Sequence, residues 1–318
     1  MLYNPRDRLQ NVFVLSEHSI YTKQMPTWIL EALFVLTWSS GFIGVEYALP
    51  FAGAFTFLFV RYLLLSVGLT LYLKLKGSGA WLGLGTRRAF FQGALVGVFA
   101  HAVWLSAVYY AQALGVSPGL SALITALQPL VVGALAGVSL AEKSSAWQWL
   151  GLTLGFVGVL VAVSGEVSLR PSTPLLAYGL PFISALSAAF AVLYQRSLER
   201  EWDVPLLPSL TVQCLASTVV LFPAALFFEG IKLELTPTFF FALAWLCLVA
   251  TLAAYGLLWT LLKRVSSTRA SSLMYLTPPA TMVIAFLLLG ERLTWNGLAG
   301  LGLTGIAVLL VRQRRRLG

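Results

Sequence analysis

Stretches of about twenty mainly apolar residues recur along the whole of this 318-residue chain, separated by short polar segments. A helix of that length just crosses the roughly 30 Å hydrocarbon layer of a bilayer, where a helix satisfies its own backbone hydrogen bonds. The spans fall at approximately 28–49, 53–73, 89–111, 115–138, 146–165, 174–195, 208–228, 238–262, 267–289 and 294–312. Composition agrees: 58% of residues are hydrophobic and 10% charged, whereas a soluble domain carries about 25% charged residues. The chain therefore reads as an all-α polytopic membrane protein with ten transmembrane helices, its short connections making consecutive helices antiparallel neighbours.

A net charge of +9 would suggest nucleic acid in a soluble domain, but here the positive residues lie between apolar runs. With both termini on one side, 17 of the 21 Lys and Arg share that side; only Arg170, Lys232 and Arg292 lie opposite, and Arg61 lies inside a span. That asymmetry predicts cytoplasmic N- and C-termini and no nucleic-acid partner. Cys214 and Cys247 both sit in apolar runs, which excludes a disulfide framework or a cysteine-rich metal site. Residues 1–25 lack the apolar core and cleavage site of a signal peptide. They read as a cytoplasmic leader, flexible or arising from an upstream start codon, because Met25-Pro26-Thr27-Trp28 opens the first span directly. Residues 313–318 read as a basic cytoplasmic tail.

A shift of 149 residues places Ser117 on Ser266, Pro129 on Pro278, Leu140 on Leu289, Glu142 on Glu291, Gly151 on Gly300, Leu154 on Leu303 and Val159 on Val308. Each repeat holds five spans, an odd number, so the second copy is inverted relative to the first. Two inverted five-helix repeats are the architecture of secondary transporters, whose halves rock about a site near the midplane.

The stretch Leu36-Thr-Trp38-Ser39-Ser40-Gly41-Phe42-Ile43 is followed by Phe59-Val60-Arg61-Tyr62. Further on come Pro129, Glu142, Gly151 and Gly158, then their echo Pro278, Gly290-Glu291-Arg292-Leu293-Thr294 and Gly300. This ordered set resembles the EamA-type branch of the drug/metabolite transporter superfamily. The resemblance implies EamA-type repeats over 26–165 and 174–312, a bacterial cytoplasmic (inner) membrane location, and export or exchange of small organic metabolites such as amino acids. It also implies a cavity lined by helices one, three, four, six, eight and nine, which makes Trp38, Ser40, Trp104, Tyr255 and Tyr275 candidates for substrate contact. Glu46 departs from the pattern, since relatives often carry lysine there.

Arg61 lies about 12 Å into its span at 1.5 Å per residue, where an unpaired charge costs about 2.5–3.5 kcal/mol. His101 lies at similar depth. Either the two contact an anionic substrate group, with His101 titrating during transport, or Arg61 is a structural pin on Glu46 or backbone carbonyls and His101 a packed side chain. Glu31 reads as snorkelling to the interface, and Glu142 and Glu291 as first-turn residues of the next helix, favoured by its dipole. Pro129, Pro278 and Pro279 interrupt spans at matching places and are hinge candidates, because proline removes a backbone donor. Gln128 and Thr277 directly precede them and can exchange hydrogen bonds with substrate. The pairs Gly93/Gly97, Gly133/Gly137 and Gly151/Gly155 have the spacing that lets helices approach closely, within the monomer or, for Gly151 and Gly155, in a homodimer.

Gly115-Val-Ser117-Pro-Gly119 matches a nucleophile elbow by letter and Gly300-Leu-Gly302-Leu-Thr-Gly305 a dinucleotide fingerprint, but neither follows a strand. The sequence predicts a secondary active or facilitative transporter, not an enzyme, with a small-molecule substrate, membrane lipid around it and no cofactor or metal. The alternative is an intramembrane lipid-modifying enzyme, which needs a serine such as Ser106, Ser117 or Ser121 hydrogen-bonded to His101.

Overall fold

The computed structural model describes residues 25–77, 87–140, 146–199, 206–265 and 273–314. The N-terminal leader up to residue 24, Glu142, Ser266 and the end of the basic tail lie outside the described residues. Helices account for nearly everything else. They are α1 (Thr27–Ala48), α2 (Ala54–Lys76), α3 (Arg87–Ala113), α4a (Pro118–Thr125) and α4b (Gln128–Leu140), and α5 (Ala146–Leu169). The chain continues with α6 (Leu180–Glu199), α7 (Leu206–Ala224), α8 (Pro237–Ala244, prolonged through Leu262), α9 (Thr277–Leu289) and α10 (Trp295–Arg314). Among the described residues, eight helices are long and apolar enough to cross a membrane, and Met274–Leu289 and Trp295–Leu309 are shorter apolar helices.

Short polar residues start these helices. Ser117 and Thr236 each precede a proline at the first helical turn and accept the N–H of Leu120 (3.2 Å) and Phe239 (3.2 Å). This satisfies one of the free donors that every helix N-terminus leaves. Thr294 does the same for α10, accepting the N–H of Gly297 at 2.8 Å. The expectation for Glu291 is thereby corrected: α10 begins only at Trp295, Thr294 caps it, and Glu291 turns instead to Arg170.

Two helices contain wide turns. In α3, Val98–Val103 form a π-helical segment, and in α8, Trp245–Ala253 form another. Shifted by 149 residues, 98–103 falls on 247–252, so both copies of the repeat carry the distortion at the same place. A π turn lengthens the hydrogen-bonded ring by one residue and leaves carbonyls short of donors. Neighbouring hydroxyls take these up: Ser217 donates to the Gly97 carbonyl (3.1 Å), Ser187 to that of Phe99 (2.7 Å), and Thr251 to that of Leu246 (2.7 Å).

Close helix contact depends on absent side chains. A Cβ at Gly300 on α10 would stand 2.3 Å from the Gly158 carbonyl oxygen on α5, so these helices pack backbone to backbone. A Cβ at Gly97 would meet the Gln213 backbone at 2.4 Å, which fixes α3 on α7. Gly155 faces Leu130 and Leu127 of its own chain, so that position is used inside the monomer.

Candidate functional site

The interrupted spans frame a candidate site. α4 breaks at Ala126 and Leu127, just before Gln128 and Pro129, and a 3₁₀ turn at Met274–Leu276 precedes Thr277, Pro278 and Pro279 at the start of α9. Beside these two breaks lies a chamber of about 240 Å³. Its walls include Trp38, Phe42, Trp104, Thr125, Gln128, Pro129, Arg196, Leu258, Met274 and Thr277. Trp38, Phe42 and Trp104 also line a smaller recess of about 60 Å³, which continues to Arg61, Tyr62, His101, Tyr109, Thr251 and Tyr255.

Arg61 is 5% exposed. One of its terminal nitrogens donates to the Tyr109 hydroxyl and the other to Thr251 Oγ1 at 2.5 Å, while the guanidinium carbon lies 5.8 Å from the Tyr62 ring. No carboxylate among the described residues pairs with it, so Glu46 is not its partner. Its Nε is buried without a hydrogen bond. Nearby, the Trp104 indole N–H is likewise buried and unpartnered. Two residues that line one recess thus each carry a buried donor without an acceptor, an arrangement suited to an oxygen-bearing ligand, since buried donors are normally paired.

The aromatic wall is continuous. Trp38 stacks on Trp104 with ring centroids 6.1 Å apart and meets Tyr255 at 5.7 Å. His101 sits in the π turn of α3, its ring 5.5 Å from that of Tyr62, and its Nε2 lies 3.1 Å from the side-chain oxygen of Gln213 on α7. That partner is an amide rather than a serine, so the serine–histidine contact required of a hydrolytic reading is not the one His101 makes.

Of the residues singled out from the sequence, Trp38, Arg61, His101, Trp104 and Tyr255 line the recess, and Trp38, Trp104, Gln128, Pro129 and Thr277 line the chamber. Ser40 does not line the chamber: its hydroxyl donates to the Thr37 carbonyl (2.8 Å) and accepts the Trp245 indole N–H (3.1 Å), tying α1 to α8. Tyr275 also falls elsewhere. It packs against the buried cluster that includes Leu127 and Leu130, and Met274, its neighbour in the 3₁₀ turn, lines the chamber wall. Thr251, Gln213 and Arg196 were not singled out as site residues from the sequence, and Tyr109 stood out only as one of several polar-tipped aromatics within spans. The one available signal was Thr251, which the 149-residue shift places on Ala102, next to His101.

A many-helix membrane protein with a central, partly aromatic chamber at paired helix breaks has the build of a membrane transporter. The EamA-like transporter family model matches this chain twice, over residues 26–164 and 175–313. The chain belongs to the EamA-like transporter family. An uncharacterized inner membrane transporter YedA of Escherichia coli strain K12 is 28% identical over 292 residues, 89% of each chain. A probable amino-acid metabolite efflux pump of the same organism is 28% identical over 64% of this chain and 70% of its own. An uncharacterized transporter of Archaeoglobus fulgidus is 23% identical over 92% of this chain and all of its own. A crystal structure of a protein at 15% identity superposes with a TM-score of 0.64 over 92% of this chain and 98% of the other, a likeness of fold.

Proposed function

We propose that this protein is a ten-helix, inverted-repeat secondary transporter of the bacterial inner membrane that moves small carboxylate-bearing metabolites such as amino acids by alternating access. Its termini are cytoplasmic, the repeats extend over 26–165 and 174–312, and transport runs outward. The observation that carries the reading is that Arg61 and Trp104, which line the same aromatic recess, each hold a buried N–H without a partner. A substrate carboxylate accepts from both and neutralises the buried guanidinium, while an apolar or aromatic body rests on Trp38, Trp104 and Tyr255. Charge-assisted contacts of this kind are about twice as strong as neutral ones.

The matching helix breaks support the inverted arrangement, and the relatives' names support transport and efflux. Pro129, Pro278 and Pro279 act as hinges. In this reading the chamber of about 240 Å³ faces the cytoplasm, because Arg196 and Met274 lie toward the helix ends on the side of the chain termini. Counterflow in proteoliposomes with a labelled panel of amino acids, aromatic ones included, tests the proposal at two internal pH values. Accumulation of carboxylate-bearing substrates is expected. Uptake restricted to neutral or cationic solutes, from protein shown to be folded, would sink the assignment to Arg61.

A further inference from the structure

Opposite the chamber, three loops from both halves of the chain are clasped by one arginine. Arg170, at the end of α5, donates to Glu291 Oε1 at 3.0 Å and to the Gly115 carbonyl at 3.2 Å, and its Nε lies 3.8 Å from Glu166 Oε1. Glu166 in turn accepts the Ser117 N–H at 2.6 Å and the Ser117 hydroxyl at 2.5 Å. Beneath this clasp α4a and α9 are pressed together, since a Cβ at Gly119 would stand 2.9 Å from the Met282 side chain. The space left there is about 60 Å³, a quarter of the chamber at the other end.

The packed seam is not apolar. Ser121 on α4a and Thr281 on α9 are wholly buried, and neither hydroxyl has a partner. Gln112, near the end of α3, is 4% exposed and both of its side-chain polar atoms are unpartnered. Elsewhere in the same helices Thr125 and Thr277 line the open chamber. Buried polar groups are normally satisfied, so unsatisfied ones on facing helices mark a surface that is wet in some other arrangement of those helices.

We propose that the Glu166–Arg170–Glu291 cluster is a latch that closes a second, polar chamber whose walls carry Ser121, Thr281 and Gln112, and that substrate leaves past these residues once the latch opens. The inference rests on the alternating-access reading. In the state described, the latch draws α5, the 114–117 loop and the 290–294 loop together, and the polar side chains of Ser121, Thr281 and Gln112 are buried without hydrogen-bond partners. Opening exchanges the two chambers: α4a separates from α9, and the helix breaks close around Trp38 and Trp104.

The test uses purified full-length protein in which Cys214 and Cys247 are first replaced by Ala. Ser121→Cys and, separately, Thr125→Cys report the two chambers through their rate of reaction with a bulky maleimide. Glu291→Ala removes the interhalf arm of the latch. Labelling of the cysteine at position 121 should rise about fivefold or more, the low end of typical coupling between sites, while labelling at position 125 falls. Unchanged labelling at position 121 overturns the latch, and so does a rise at both positions accompanied by loss of a monodisperse gel-filtration peak. A rise at 121 without a fall at 125 in monodisperse protein supports the latch and refutes alternating access, so the two ideas fail separately.

Discussion

Arg61→Met separates binding from scaffolding, because the side chain keeps most of its length and loses only its charge and donors. On the scaffold side, Thr251 stays satisfied, since its hydroxyl still donates to the Leu246 carbonyl at 2.7 Å. Tyr109 loses Arg61 as a partner, and an orphaned buried hydroxyl costs about 1–3 kcal/mol. Against this, removing a charge at that depth returns about 2.5–3.5 kcal/mol on insertion scales. The two nearly cancel, so the variant should insert and unfold within about 1 kcal/mol of the parent. On the binding side, a hydrogen bond to a charged group is worth about 1.5–3 kcal/mol, or roughly 10- to 150-fold in affinity. Counterflow should therefore fall by at least about tenfold at subsaturating substrate, while thermal unfolding in detergent hardly moves. Arg61→Lys should recover part of the transport, because it keeps the charge but loses the forked geometry. Unimpaired counterflow in Arg61→Met would refute the role assigned to the guanidinium. A large loss of stability together with lost transport would make Arg61 a pin between α2, α3 and α8 instead.

Gly300→Ala should destabilise the fold by about 1–3 kcal/mol, the usual range for overpacking, because its Cβ would stand 2.3 Å from the Gly158 carbonyl. Gly302→Ala, with open space at its Cβ, should be neutral or slightly stabilising in the same thermal melt. Burial pushes the Glu291 carboxyl from 4.5 up to about 7, with Glu166 and Glu46 adding to the rise and Arg170 opposing it. A carboxyl with a raised folded pKa binds its proton more tightly when folded, so its contribution is greatest below 4.5 and is lost as pH rises through about 7. The difference in unfolding free energy between parent and Glu291→Gln should therefore shift against the parent from pH 5 to pH 7.5, by up to about 3 kcal/mol; a pH-independent difference would contradict the burial argument. The same titration weakens the ion pair below about pH 7, so maleimide labelling of Ser121→Cys relative to that of Thr125→Cys should rise as pH falls from 8 to 6, the ratio cancelling the loss of thiolate common to both.

Depth along a span was legible in the sequence, and direction around it was not. Arg61 and His101 could be placed near one level by counting residues, Trp38 and Trp104 came from the family resemblance, and all four line one recess. Their facing partners could not be named, because these helices are apolar on nearly every side and leave no polar stripe that marks the inward face. Ser40 illustrates the failure. It sits two residues from Trp38 at a suitable depth, yet that spacing turns it away toward Trp245. The π turns explain a further share, since one extra residue per turn changes the phase of everything beyond it, and no residue type announces them. Glu291 was misread because the repeat pairs it with Glu142 by sequence, whereas its surroundings include Arg170, which arrives from the other half.

The two helix breaks carry the last step. Proline has no N–H, so Pro129 cannot serve the carbonyl of Thr125, and Pro278 cannot serve that of Met274. Those carbonyl positions are themselves 149 residues apart, and both residues line the chamber. The Met274 oxygen is partly compensated by the Thr277 hydroxyl at 2.6 Å, while position 125 carries no equivalent compensation from Gln128, which lines the chamber instead. In the proposed function, a carboxylate held by Arg61 leaves the ammonium of an amino acid to seek an acceptor, and among the described residues the chamber walls contain no carboxylate. In the same reading the acceptor is the Thr125 carbonyl, which Pro129 leaves without its usual helical donor. Pro129→Ala restores a donor, lets α4 run on past Leu127 and engages that carbonyl. Thermal stability should then rise, by less than the roughly 3 kcal/mol that proline costs in a helix interior, because Pro129 stands in the first turn of α4b. Transport of amino acids should slow while transport of the corresponding carboxylates lacking an amino group is spared. Equal slowing of both would assign Pro129 to the hinge alone and remove the carbonyl from recognition.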